Sequence, residues 1–227
     1  WDPERRYVLV YNGEVYNFRE LRAELEAKGV EFQTSSDPEV LLQALIQGDP
    51  RDVLPRLGGM FAFAFFDTQT RKLLLARDRF GMKPLYILQS AATSGDLLFA
   101  SELNALKKAD GFDPAQSAEG LATYLGSMYI SEPFTAYRDI RALEPGCALI
   151  CTPSGQRLHR YWDMSFNPER SRASEAQAIE AVADVLPRAV GRHLMADRRR
   201  DHLGSFPCQC VSAHPRMCQW LTPPFWL

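Results

Sequence analysis

The chain has 227 residues, enough for one domain with a sizeable core or for two small ones. With 26 basic against 28 acidic residues and a formal net charge of −2, it has no electrostatic footprint for nucleic acid or a membrane surface, and small-molecule chemistry fits better. No apolar run approaches the roughly 20 residues that span a bilayer, the start Trp1-Asp2-Pro3-Glu4-Arg5-Arg6 has no signal-peptide pattern, and an odd number of cysteines without framework spacing predicts reduced thiols in the cytoplasm.

Residues 6–11 form a short apolar run ending in Asn12-Gly13, which predicts a buried strand entering a tight turn. Asn17 then stands as a helix cap, with Glu20 completing a capping box, Leu21 and Leu25 on one apolar face and Gly29 as the terminator. Phe32-Gln33-Thr34 reads as a short strand. Ser36-Asp37-Pro38 opens a second helix, since proline at the first helical position sacrifices no needed N–H, and Gly48 closes it.

Residues 60–66 are apolar on both faces, with Phe61, Phe63 and Phe65 on one side and Ala62, Ala64 and Phe66 on the other, as a strand between two layers requires. Further strands are predicted over 72–76, 85–88 and 97–100, and Ser101-Glu102 is expected to cap a helix leading to Lys107. After a helix near 115–127, strands follow at 140–143, 147–152 and 157–161, joined by Pro145-Gly146 and Pro153-Ser154-Gly155 turns. Residues 165–174 are linker-like. Residues 175–195 have helical spacing at Ile179, Val182, Leu186, Val190 and Leu194, with Pro187 as a kink or break. From Arg198 the periodicity ends and no packed element is predicted. Many strands flanked by a few helices make an α+β layered domain.

Tyr11-Asn12-Gly13-Glu14-Val15-Tyr16-Asn17, Ser36-Asp37-Pro38-Glu39-Val40, the run Gly58 with Met60-Phe61-Ala62-Phe63-Ala64, Arg77-Asp78-Arg79-Phe80-Gly81-Met82-Lys83-Pro84-Leu85-Tyr86 and Ala100-Ser101-Glu102 follow one another in this order. Together they resemble the class II glutamine amidotransferase domain of glutamine-hydrolysing asparagine synthetases. The likeness continues through Leu143-Glu144-Pro145-Gly146 and Arg160-Tyr161-Trp162-Asp163 to His193-Leu194-Met195-Ala196-Asp197, which resembles the entry to the synthetase domain.

The resemblance implies a four-layer αββα sandwich of the N-terminal-nucleophile hydrolase type, incomplete at its N-terminus. It implies a partial amidotransferase domain over 1–164, a linker and the first synthetase helix over 165–197, and an unrelated tail over 198–227, expected to be disordered or frameshifted. The parent reaction would hydrolyse L-glutamine and use the ammonia, with ATP and Mg²⁺, to amidate aspartate to asparagine in a cytoplasmic homodimer. The family nucleophile is an N-terminal cysteine, for which Trp1 is no substitute, and the tail lacks the family's ATP-gripping loop. The chain is therefore expected to be an inactive fragment with no cofactor of its own, and its unpaired sheet edge at residues 6–11 predicts poor solubility.

By the same resemblance, the Asn12 side-chain amide and the Gly13 N–H form the oxyanion hole, Asp37 receives the ammonium group of glutamine, and Glu14 contributes through its backbone. Each has a plainer reading: an Asn-Gly hairpin turn, a capping aspartate, a solvated glutamate. Arg77, Asp78, Arg79, Gly81 and Lys83 are expected to be structural, although charge alone favours a solvated loop. Cys208, Cys210, His214 and Cys218 could be drawn as a zinc site, but the spacing fits known ligand patterns poorly and no metal is expected. His159 and His193 read as structural. Rival functions are an amidotransferase with another acceptor, a non-catalytic glutamine-binding module, and a redox or metal protein resting on the tail cysteines alone.

Overall fold

A computed structural model of the chain describes residues 1–89, 97–166, 173–194 and 211–212. Strand β1 (Tyr7–Val15) leads to helices α1 (Phe18–Ala27), α2 (Asp37–Gln47) and the short α3 (Pro50–Val53), with a single 3-10 turn at Leu54–Arg56. Strands β2 (Gly59–Asp67), β3 (Lys72–Arg77), β4 (Tyr86–Gln89) and β5 (Leu97–Ala100) follow, then α4 (Leu103–Leu106) and α5 (Ala118–Ser127). The chain continues through β6 (Ile140–Ala142), β7 (Cys147–Thr152), β8 (Gly155–Arg160), α6 (Glu175–Leu194) and β9 (Val211–Ser212).

The strands form two antiparallel sheets, one ordered β1-β2-β3-β7-β8 and the other β6-β4-β5-β9. Period-2 alternation in β2 decides the layering. Phe61, Phe63 and Phe65 turn to one face, where they meet Leu21 and Leu25 of α1 and Val40, Leu41 and Leu45 of α2. Ala62 and Ala64 turn to the other, where small side chains let the second sheet approach and Leu85, Leu97 and Phe99 fill the gap. A third cluster joins Leu88, Ala100 and Ile140 of the second sheet to Ala105 and Leu106 of α4. The order is therefore helix, sheet, sheet, helix, the four layers expected. Phe61 and Phe63 are each 1% exposed, so truncating either to alanine would cost about 3–5 kcal/mol.

Several local expectations are corrected. Asn12-Gly13 is not a turn: β1 runs through it to Val15, because the 9-residue β2 opposite offers a full ladder of partners. Asn17 does not close a capping box. Its amide instead bridges to the next loop, Nδ2 donating to the Arg56 carbonyl at 2.9 Å and Oδ1 accepting from Gly58 N–H at 2.8 Å. Residues 32–34 are not a strand, since the Gln33 and Thr34 N–H groups go to the Glu39 carboxylate rather than to a neighbouring strand. Pro187 lies inside α6 without ending it. In the tail, where no packed element is predicted, Val211–Ser212 adds to the free edge of β5.

Candidate functional site

The site residues of β1 are positioned by the hydrogen-bond alternation of an antiparallel pair. Thr68 N–H donates to the Arg6 carbonyl at 2.9 Å and Tyr16 N–H to the Gly58 carbonyl at 2.7 Å, one at each end of the β1–β2 ladder. Even-numbered residues of β1 thus bond to β2, and odd-numbered residues direct their backbone groups out from the sheet edge. Two outward N–H groups are claimed by carboxylates, that of Tyr7 by Asp2 at 2.6 Å and that of Val15 by Asp37 at 2.9 Å. The Gly13 N–H faces out from the same edge, two residues before Val15. Glycine is required there: a Cβ would lie 2.1 Å from the Met60 carbonyl oxygen and 2.6 Å from Phe61 Cα, at a φ of +149°.

Asn12 is exposed on the face of β1 toward the second sheet, and its Nδ2 donates to Ser101 Oγ at 3.4 Å, just beyond β5. This contact joins the first and last of the ordered motifs. Ser101 and Glu102 make no side-chain cap on α4, a correction to their expected use. Glu14 shares the Asn12 face, but its backbone groups turn toward Met60 in the ladder, so its outward offering is the side chain rather than the main chain.

Asp37 is the first residue of α2, with Ser36 at the cap position, so it is not itself the cap. Its Oδ2 accepts from the Tyr11 hydroxyl at 2.7 Å and from Val15 N–H. Its Oδ1 has no hydrogen bond among the described residues, leaving a half-satisfied carboxylate beside the Gly13 edge at the N-terminus of α2. Burial, followed by the charge of Asp37 and the hydrogen bond to it, pushes the Tyr11 hydroxyl far above its ordinary range, so Tyr11 remains a donor. Sequence reading missed Tyr11 in this arrangement. The signal was its odd position, two before Gly13, which becomes legible once β1 is known to run through residue 12.

The charged motif after β3 is neither a solvated loop nor an ion pair between its own members. Arg77 is 5% exposed and uses all its donors: Nε to the Lys83 carbonyl, Nη1 to Glu132 and the Leu143 carbonyl, Nη2 to Glu132 and the Gly81 carbonyl, at 2.6–3.0 Å. Asp78, 1% exposed, accepts from the N–H groups of Phe61, Phe80, Met82 and Lys83 at 3.0–3.2 Å. Asp78 N–H returns a bond to the Phe61 carbonyl at 2.8 Å, fixing β2 at the residue that faces Gly13. Gly81, at φ +64°, leaves room for the Arg77 guanidinium, which a Cβ would meet at 2.8 Å. Lys83 serves through its backbone. Arg79 holds the Pro55 carbonyl at 2.7 Å, while its buried Nε has no partner among the described residues. Tyr161, from the Arg160–Asp163 motif, donates its hydroxyl to the Arg77 carbonyl at 2.6 Å, and Glu132 carried no sequence signal because its partner is remote along the chain.

A concavity of about 330 Å³ lies on the other side of β1, lined by Trp1, Leu9, Tyr11, Gln33, Glu39 and Leu42 among others, and includes none of Asn12, Gly13, Glu14 or Asp37. Cys147 and Cys151 lie on β7; burial pushes the Cys147 thiol up and the Cys151 thiol up to about 11, which keeps both protonated and poorly nucleophilic. The remaining cysteines and His214 fall outside the described residues, and among the described ones no group of His, Cys, Asp and Glu could hold a metal ion.

The family model for the glutamine amidotransferase domain matches residues 1–162, so this chain belongs to the glutamine amidotransferase domain family. Among curated proteins, it is 34% identical over 195 residues to asparagine synthetase [glutamine-hydrolyzing] 1 of Bacillus subtilis (strain 168), covering 86% of this chain and 30% of that protein. A Mycobacterium tuberculosis (strain CDC 1551 / Oshkosh) protein with a provisional form of the same name is 39% identical over 208 residues, covering 87% of this chain and 31% of its own. The chain thus spans about a third of the length of these relatives. A solved glutamine phosphoribosylpyrophosphate amidotransferase from B. subtilis is 28% identical at a TM-score of 0.47, covering 71% of this chain and 30% of that one.

Proposed function

We propose that the open edge of β1 is a glutamine site: Asp37 Oδ1 receives the substrate ammonium group, and the Asn12 Nδ2 and Gly13 N–H donate to the oxygen that becomes negative when the side-chain amide is attacked. The observation that carries this reading is the half-satisfied Asp37 carboxylate beside an outward, unhindered Gly13 N–H. Donors fixed by a sheet cost no reorganisation as charge develops, which is the requirement for oxyanion stabilisation. The tetrahedral intermediate forms by attack of a thiolate on the amide carbon and collapses with loss of ammonia. Cys147 and Cys151 lie inside the sandwich, so neither supplies that thiolate.

The parent enzyme in this reading is an asparagine synthetase, with residues 1–164 as part of the glutamine domain and residues 165–197 as the linker and first helix of the synthetase part. Aspartate, ATP with Mg²⁺ and a homodimeric assembly belong to that parent, which acts in the cytoplasm. No described helix is long and apolar enough to cross a membrane. Calorimetry of the chain with L-glutamine tests the site. Saturable heat that disappears with D-glutamine and weakens in Asp37→Asn is expected, and the absence of any L-glutamine binding overturns the reading.

A further inference from the structure

Helix α6 is 20 residues long and buries none of them. Ile179, Val182, Leu186 and Val190, on its apolar side, are all at least half exposed. Beyond the cap that Ser174 makes at its N-terminus, α6 meets the loop after β1 through one pair. The Tyr16 hydroxyl lies 2.8 Å from His193 Nδ1, with the two rings 4.7 Å apart and tilted by 55°. The two residues are 177 positions apart, which no local pattern could bring together.

Tyr16 is held firmly on its own side of this contact. Its N–H is bonded to the Gly58 carbonyl, and the adjacent Asn17 amide pins the same loop. It extends the parity of Asn12 and Glu14, so its phenol stands on their face of the strand. Desolvation, followed by the charges of Glu14 and Asp78, raises the Tyr16 hydroxyl above its ordinary range, so it stays protonated and able to donate to an Nδ1 that carries no proton. A helix that buries none of its residues needs only a modest free energy to shift its seating.

We propose that Tyr16 is a positioning residue that seats the last turn of α6, through His193, beside the Asn12 to Asp37 site, so that glutamine binding and the seating of α6 favour each other. The proposal rests on the glutamine reading above. Seating immobilises the ring that continues the Asn12 and Glu14 face, so a ligand touching that face binds the seated form better. Linkage then requires the ligand to tighten the seat in return.

The test uses the full chain labelled with ¹⁵N-histidine, the His193 signal being assigned by its loss in His193→Ala. Above about pH 8, where an ordinary imidazole is neutral, the expected signal is an unprotonated Nδ1 that shifts in Tyr16→Phe and shifts the opposite way when L-glutamine is added. Glutamine affinity should fall about threefold to tenfold in Tyr16→Phe and in His193→Ala, and no further in the double variant. His193→Asn, which keeps an acceptor near the Nδ1 position, should recover most of the loss. An unchanged His193 signal in Tyr16→Phe overturns the contact. Unchanged glutamine affinity in the variants, or additive losses in the double variant, overturns the linkage. A Tyr16-dependent His193 signal in a chain that does not bind glutamine overturns both the linkage and the glutamine site.

Discussion

Asp78 and Asp37 are both carboxylates that accept backbone N–H groups near β1, and the difference between them separates framework from site. Asp78 is 1% exposed, and both oxygens are filled by four backbone donors. Asp37 has one oxygen filled by Tyr11 and Val15 and the other without a partner among the described residues. A fully satisfied carboxylate has nothing left for a ligand and acts on stability. A half-satisfied one at a helix N-terminus is oriented by its bonds while keeping a charged oxygen available, the combination a substrate ammonium group needs.

Breaking the framework should give the largest effect. Asp78→Ala strands four buried N–H groups and loosens β2 at Phe61, and urea denaturation should show a loss of about 3–5 kcal/mol, with glutamine binding lost along with the fold. Arg77→Lys removes the planar fork that grips Glu132 and three carbonyls, and the same measurement should show about 2–3 kcal/mol. Gly13→Ala sits between the two regions. Its Cβ collides with β2, so stability should fall by more than about 1 kcal/mol, and glutamine binding should be abolished even where the variant remains folded.

Changes at the site should do the reverse. Asp37→Asn keeps an acceptor for Val15 N–H and should alter the denaturation midpoint little, while glutamine affinity drops about tenfold to a hundredfold, as expected for a lost charge-assisted bond. Destabilisation as large as that of Asp78→Ala would erase the distinction.

The smallest effect is a pH dependence at the far end of the same ladder. The Arg6 guanidinium, at 2.9 Å, holds the Asp67 carboxyl down to about 2. Because the folded value lies below the unfolded value of about 3.9, the contribution is full above that value and fades as pH falls from about 4 toward about 2. Asp67→Asn should remove that contribution, lowering stability near neutrality, flattening the curve over that window and changing little below about pH 2.

Much of the fold was legible because it rests on period. The alternation of phenylalanine and alanine in residues 61–66 marks a strand between two layers, and Leu21 with Leu25 marks the buried face of α1. The resemblance brought Asn12, Gly13 and Asp37 forward as a group. What the local signals misread were groups whose partners are remote: Asn12-Gly13 as a turn, Asn17 as a cap, Ser101 as a cap, and the charged motif as a solvated loop.

The sequence determined most of the elements, since side-chain period is a local property, while the family resemblance supplied the four layers and the candidate site residues. Tertiary structure decided what each polar group touches. The β2 ladder carries Asn12-Gly13 straight on and turns the Gly13 N–H outward, and Tyr11 and Val15 occupy only half of Asp37. Glu132 completes Arg77, and Tyr16 meets His193 across 177 positions of chain. Hydrogen-bond partners are set by proximity in space, which the sequence encodes only through the completed fold.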